Sequence, residues 1–230
     1  MGTSKSYITP TKQHWSDAKR AATQLSKQNS LPNKERLISR YATAMKKDYN
    51  ETNTNTNTIS AIGQLLRLSQ SISNIGVEQT LKDIDKEYLL EKNPEEILNI
   101  LINEYCHQGD TINNYIEMDT LSLALKELNI VTLEDLKTIP VDILLKEIII
   151  NYINQNFKFR FEEKIGKKNS PENTNRIIEE MGMLMRNKLI EELDISQIKN
   201  IDFSNLENDK LIQEKIIEAY DILRKLYGEE

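Results

Sequence analysis

The chain has 230 residues, 38% hydrophobic and 29% charged, with 7 Gly, 5 Pro and 1 Cys. That length buries a core without staples, the shortage of Gly and Pro argues against an all-β fold rich in tight turns, and a single cysteine, Cys106, excludes an intrachain disulfide and points to a reducing compartment. The net charge of −6 is uneven: residues 1–48 hold ten Lys/Arg and three Asp/Glu, a net +7, which leaves −13 for the rest. No run approaches the roughly 18 apolar residues of a membrane span, and the start carries no apolar segment of a signal peptide. A cytoplasmic location is the expectation.

Residues 1–11 are small, polar and unpatterned, and read as a flexible tail. From Lys12 to Lys27, Trp15, Ala18, Ala22 and Leu25 recur at helical spacing. Ser30-Leu31-Pro32-Asn33 breaks that helix, and Asn33 is expected to cap a second one to about Tyr49, with Leu37, Tyr41, Ala44 and Met45 inward. Residues 12–49 thus form a basic helical arm. Asn50–Asn57 (NETNTNTN) has nothing apolar to bury and reads as a polar linker. Residues 58–230 read as an acidic all-α bundle.

Within that bundle, Thr58–Asn74 carries Ile62, Leu65, Leu66, Ser69 and Ile72 on one face, with Gly63 among them. A glycine inside a helix costs about 1 kcal/mol against Ala, and a close approach by a neighbour is the usual compensation. Gly76 ends the helix. Val77–Leu90 holds one or two short helices carrying Leu81, Ile84, Tyr88 and Leu89. Asn93-Pro94-Glu95-Glu96 is a helix start, and Gly109 is the expected stop. Further helices are expected from Ile116 to Leu128, after the Thr132 cap, from Val141 to about Ile165, from the opening Ser170-Pro171-Glu172 to about Leu193 and from Asp209 to Tyr227. Val141–Ile165 is the most apolar and is placed at the centre, with Ile143 among its apolar residues. Its end, Phe157-Lys158-Phe159-Arg160-Phe161, alternates like a strand, but the helical context favours helix. Ile198, Ile201, Phe203 and Leu206 are expected to pack a polar loop onto the core. The fold class is an irregular all-α, multi-helix bundle with a flexible N-terminal arm.

The body offers little chemistry. Cys106 and His107 are adjacent, and adjacent helical side chains point about 100° apart. Two histidines and one cysteine make no recognisable zinc cluster, so no metal and no cofactor are assigned. The acid pairs Glu95/Glu96, Glu162/Glu163, Glu179/Glu180 and Glu191/Glu192 read as solvated helix faces. The chain is therefore expected not to be an enzyme. The basic segment has two readings: it docks on its own domain or its charge is incidental, or it contacts nucleic acid through Lys12, Lys19, Arg20, Lys27, Lys34, Arg36 and Arg40. Met1 to Ser6 also fits the pattern M-G-x-x-x-[ST], although one acyl chain with few basic residues anchors weakly.

The N-terminal Met1-Gly2-Thr3-Ser4, the helix from Tyr152 to Ile165 in an all-α body, and the closing amphipathic helix Leu211–Tyr227 together resemble QatB, a component of the bacterial four-gene Qat anti-phage systems. The resemblance implies three partners: an ATPase, a QueC-like enzyme and a TatD-like nuclease. It further implies that Gly2, once Met1 is removed, is the site at which the QueC-like partner attaches a 7-deazaguanine group through an amide. Thr3, Ser4, Lys5 and Ser6 would then contact that partner. The chain departs from longer relatives, which carry a Gly/Pro-rich tract where this one has the basic helix Lys12–Lys27.

Overall fold

The computed structural model describes residues 12–51, 56–106 and 112–227. Among them are ten α-helices and no strand: α1 Ser16–Lys27, α2 Leu31–Glu51, α3 Thr56–Ile75, α4 Val77–Asp83, α5 Pro94–Cys106, α6 Ile112–Glu127, α7 Leu133–Leu136, α8 Val141–Gly166, α9 Pro171–Glu192 and α10 Asp209–Tyr227. The all-α class read from periodicity is the observed one. Gly2 to Ser6, the tail they belong to, and His107 and Gly109 lie outside the described residues.

The helices sort into two compact units. One gathers the described residues among 1–52, 153–193 and 217–230, the other those among 53–152 and 194–216. The chain order of arm, linker and bundle is therefore not the order in space. The basic helices α1 and α2 share a unit with the second half of α8, with α9 and with the end of α10. The reason is the rings they carry.

In that unit Trp15 and Tyr41 are 1% and 0% exposed. The Tyr41 ring lies 5.3 Å from Phe157, 5.9 Å from Phe161 and 5.7 Å from Tyr220, each edge-on. This is the arrangement that ring quadrupoles favour. The Tyr41 hydroxyl donates to the Ile153 carbonyl at 2.9 Å, so the buried phenol is satisfied. Phe157 and Phe161 are one helical turn apart and meet at 5.1 Å, which is why the alternating Phe-Lys-Phe-Arg-Phe run folds as helix.

The other unit closes over aliphatic side chains. Ile62, Leu65, Leu66 and Ile72 of α3, Leu101 of α5, Leu136 of α7 and Leu144 of α8 are all buried. The Gly63 compensation is specific. A Cβ there would come within 2.5 Å of Asp209 Oδ1 and 3.0 Å of the Arg67 guanidinium. Gly63 thus makes room for the Arg67–Asp209 ion pair at 2.9 Å. Gln70, one turn further on, clasps the 201–203 loop: it donates to the Ile201 carbonyl at 2.5 Å and accepts from Phe203 N–H at 2.8 Å.

Several local expectations hold. Gly76 adopts φ +82° after α3. The side chains of Asn93 and Ser170 accept from Glu95 and Asn173 N–H, and Thr132 forms a capping box with Asp135. Others need correction. Asn33 is no cap: α2 begins at Leu31, the Ser30 carbonyl accepts its first bond from Lys34, and Asn33 donates back to Gln28 O. Pro32 fits inside the first turn because its missing N–H is unneeded there. Asn50 and Glu51 are helical, as are Thr56 and Asn57, since the flanking Tyr49 and Thr58 are buried and hold the turns. Residues 52–55 are outside the described set. Leu206, expected to pack on the core, is 69% exposed, and the apolar Ile84, Tyr88 and Ile143 are 38%, 56% and 48% exposed. Ile84, Tyr88 and Leu206 sit on elements too short to turn one face fully to a core.

Candidate functional site

A 3-10 turn, Gln13–Trp15, leads into α1. Because Trp15 is buried among rings, its indole N–H needs an acceptor. It finds Asp48 Oδ2 on α2 at 3.0 Å. The other oxygen, Oδ1, accepts from His14 Nε2 at 2.8 Å and from Lys12 Nζ at 3.1 Å. Lys12 also lies 3.6 Å from Glu51 Oε2. One carboxylate thus ties down three of the four residues Lys12–Trp15, where the chain joins the segment predicted to carry the modification site. Burial acts to raise the Asp48 pKa, but hydrogen bonds from Lys12, Trp15 and His14 outweigh it and hold the carboxyl below its ordinary range. Ionised, it accepts all three bonds.

Gly2, Thr3, Ser4, Lys5 and Ser6 all lie upstream of this root and outside the described residues. The basic set is described from Lys12 onward, and much of it is answered by acids of its own unit. Lys12 pairs with Asp48, Arg20 with Asp17, and Lys34 with Glu180 at 2.6 Å; Lys46 reaches Asp221 at 2.5 Å. Arg36 donates to Gln24. Lys34–Glu180 and Lys46–Asp221 join the basic segment to other helices of its unit.

Cys106 is 1% exposed, and burial pushes its thiol up to about 12. It is a packed side chain and not a nucleophile. Glu95, Glu96, Glu191 and Glu192 are exposed, as read, while Glu180 is engaged by Lys34. Met181 and Met185 are buried and Met183 is 57% exposed.

A cavity of about 670 Å³ in the aliphatic unit, absent from the reading of the sequence, is walled by Leu68, Ile75, Ile84 and Leu101 with Arg67 and Tyr105. Burial pushes the Tyr105 phenol up to about 12, and neighbouring Glu104 adds to the effect. Its walls come from three helices and a loop, so no local motif announces it. No described helix is long and apolar enough to cross a membrane.

Comparison with known families gives one match. The family model described as QatB, Qat anti-phage system associated protein QatB, matches residues 50–223. The match runs from the end of α2 through most of α10 and omits the tail, α1 and nearly all of α2. It therefore rests on the body, not on Met1 to Ser4. Neither the comparison with curated proteins nor that with solved structures gives a match.

Proposed function

The chain belongs to the QatB family of Qat anti-phage system proteins, and from that premise we propose that it is a non-enzymatic helical subunit modified at Gly2 by a QueC-like partner. Family membership gives it a role in the Qat system, with other Qat components as its partners. The finer reading concerns chemistry done to this chain. Removal of Met1 leaves Gly2 as a primary amine with no Cβ to hinder an approaching carbonyl. The partner activates a 7-deazaguanine carboxylate with ATP, the amine attacks, an amide C–N bond forms, and the activating group leaves as the amine loses a proton. Thr3, Ser4, Lys5 and Ser6 contact the partner's pocket. The ATPase and TatD-like nuclease are the remaining partners, and the cytoplasm is the compartment.

The observation that carries this reading is the Asp48 root. It anchors the chain at Lys12–Trp15, so the ten residues left after removal of Met1, with a reach of at most about 33–36 Å, start from a held point. A held base and an unhindered tip are what a partner enzyme needs to take up a terminus. Mass spectrometry of the intact protein and its N-terminal peptide, after co-expression with the other Qat components, tests it. The expected result is loss of Met1 and added mass on Gly2 that vanishes when the QueC-like component is omitted. An unmodified Gly2, or retained Met1, refutes it.

A further inference from the structure

His14, Asp48 and Glu51 offer one imidazole nitrogen and two carboxylate oxygens, all within 4.8 Å of one another. We propose that they form a binding site for a borderline transition-metal dication, Zn²⁺ foremost, with Lys12 as the built-in competitor for the ion's position. The inference is independent of chemistry at Gly2.

The donor set comes first. One imidazole with two carboxylates suits zinc, whereas calcium and magnesium take oxygen donors. Pre-organisation comes next. Asp48 Oδ2 is held at 3.0 Å by the indole of Trp15, which is itself 1% exposed and fixed among rings. An outer partner of that kind orients a ligating carboxylate. Oδ1 then faces His14 Nε2 at 2.8 Å. Two ligands of a tetrahedral zinc with bonds of about 2.0–2.1 Å lie roughly 3.3 Å apart, so the pair needs only a small outward shift. Glu51, 55% exposed at the end of α2, is free to swing in. Finally, a cation already occupies the position: Lys12 Nζ lies 3.1 Å from Asp48 Oδ1 and 3.6 Å from Glu51 Oε2.

Metal entry moves the His14 proton from Nε2 to Nδ1, leaving the imidazole neutral, and releases Lys12 to solvent as an ammonium. Two carboxylates balance the dication, and solvent completes the coordination. Since Lys12 is the first residue after the tail, filling the site exchanges a lysine tie for a metal clip at the tail's root.

Isothermal titration of untagged, full-length protein with ZnCl₂ tests the site. Wild type is expected to bind one Zn²⁺ per chain. H14A and E51Q each weaken binding by at least about tenfold, the lower range seen even for outer-sphere changes. K12M tightens it, and H107A leaves it unchanged. E51Q keeps the test valid should H14A fail to fold, because Glu51 is exposed and holds no core residue. Absence of binding in both wild type and K12M overturns the proposal, as does binding that is indifferent to E51Q or lost in H107A.

Discussion

The two units reach stability by different routes. The unit built on α1 and α2 closes over rings: Trp15, Tyr41, Tyr49, Phe157, Phe161 and Tyr220 come from four separated stretches of chain. The ion pair Lys46–Asp221 ties two of those stretches together, and Lys34–Glu180 ties α9 to α2. The other unit closes over Leu and Ile from successive helices, with α3 against α4, α5, α6 and α7. Family similarity covers all of the aliphatic unit, but of the aromatic one little beyond its α8–α10 part. Phe157, Phe161 and Tyr220 lie inside the matched segment, while Trp15 and Tyr41, which bury them, lie outside it. The segment 12–49 is thus a structural half of its unit and not an appendage.

Trp15 is the chain's one tryptophan, so its fluorescence reports on the aromatic unit while far-UV circular dichroism reports on both. The largest expected effect is Tyr41→Ala, which opens the ring cluster and removes the hydroxyl's bond to the Ile153 carbonyl at a cost of about 3–5 kcal/mol. In urea its fluorescence midpoint falls most. Leu101→Ala, at about 2–5 kcal/mol, lowers the dichroism midpoint and moves fluorescence less. Equal shifts of both probes in both variants would abolish the distinction between the units.

Gly63→Ala is next. Its methyl would collide with Asp209 and crowd Arg67, so the aliphatic unit loses about 1–3 kcal/mol. Gly63→Ala combined with Asp209→Ala should recover part of that loss in the same urea titration, since the clashing carboxylate is gone.

The gentlest contrast is in pH. Asp48 has a folded pKa below its ordinary 3.8, so its stabilisation is present above that value and is lost as pH falls through the folded pKa. Glu117, buried and accepting from Thr58 Oγ1 at 2.6 Å, has its pKa raised above 4.5 by burial, only partly offset by Thr58. Its contribution is complete below 4.5 and is lost as pH rises through the raised value. Acid therefore weakens the aromatic unit while relieving the aliphatic one. Asp48→Asn should flatten the acid limb seen by fluorescence, and Glu117→Gln the opposite slope seen by dichroism, in urea midpoints taken across about pH 3 to 8.

What could be read from sequence depended on range. Helices, the caps at Asn93, Thr132 and Ser170, and the stop at Gly76 follow from residues at most four apart, and all appear. The turns at Asp85 and Asn129, with φ 58° and 56°, escaped notice because neither is glycine. The candidate site was legible only in part. Gly2 stands out by chemistry and by resemblance, but His14 and Asp48 are 34 residues apart, and nothing local pairs them. The outward turn of Ile143 and Leu206 was equally hidden, since periodicity names an apolar face without naming what covers it.

The amino-acid order by itself determined the helices, because the 3.6-residue period and the end caps are local physics. It also carried the family likeness. Only the tertiary structure decided that the basic segment would share a core with residues 153–193. Only it brought His14, Asp48 and Glu51 around Lys12. Ring packing and ion pairs reaching across as many as 179 residues depend on which faces meet, and that is settled when the helices pack.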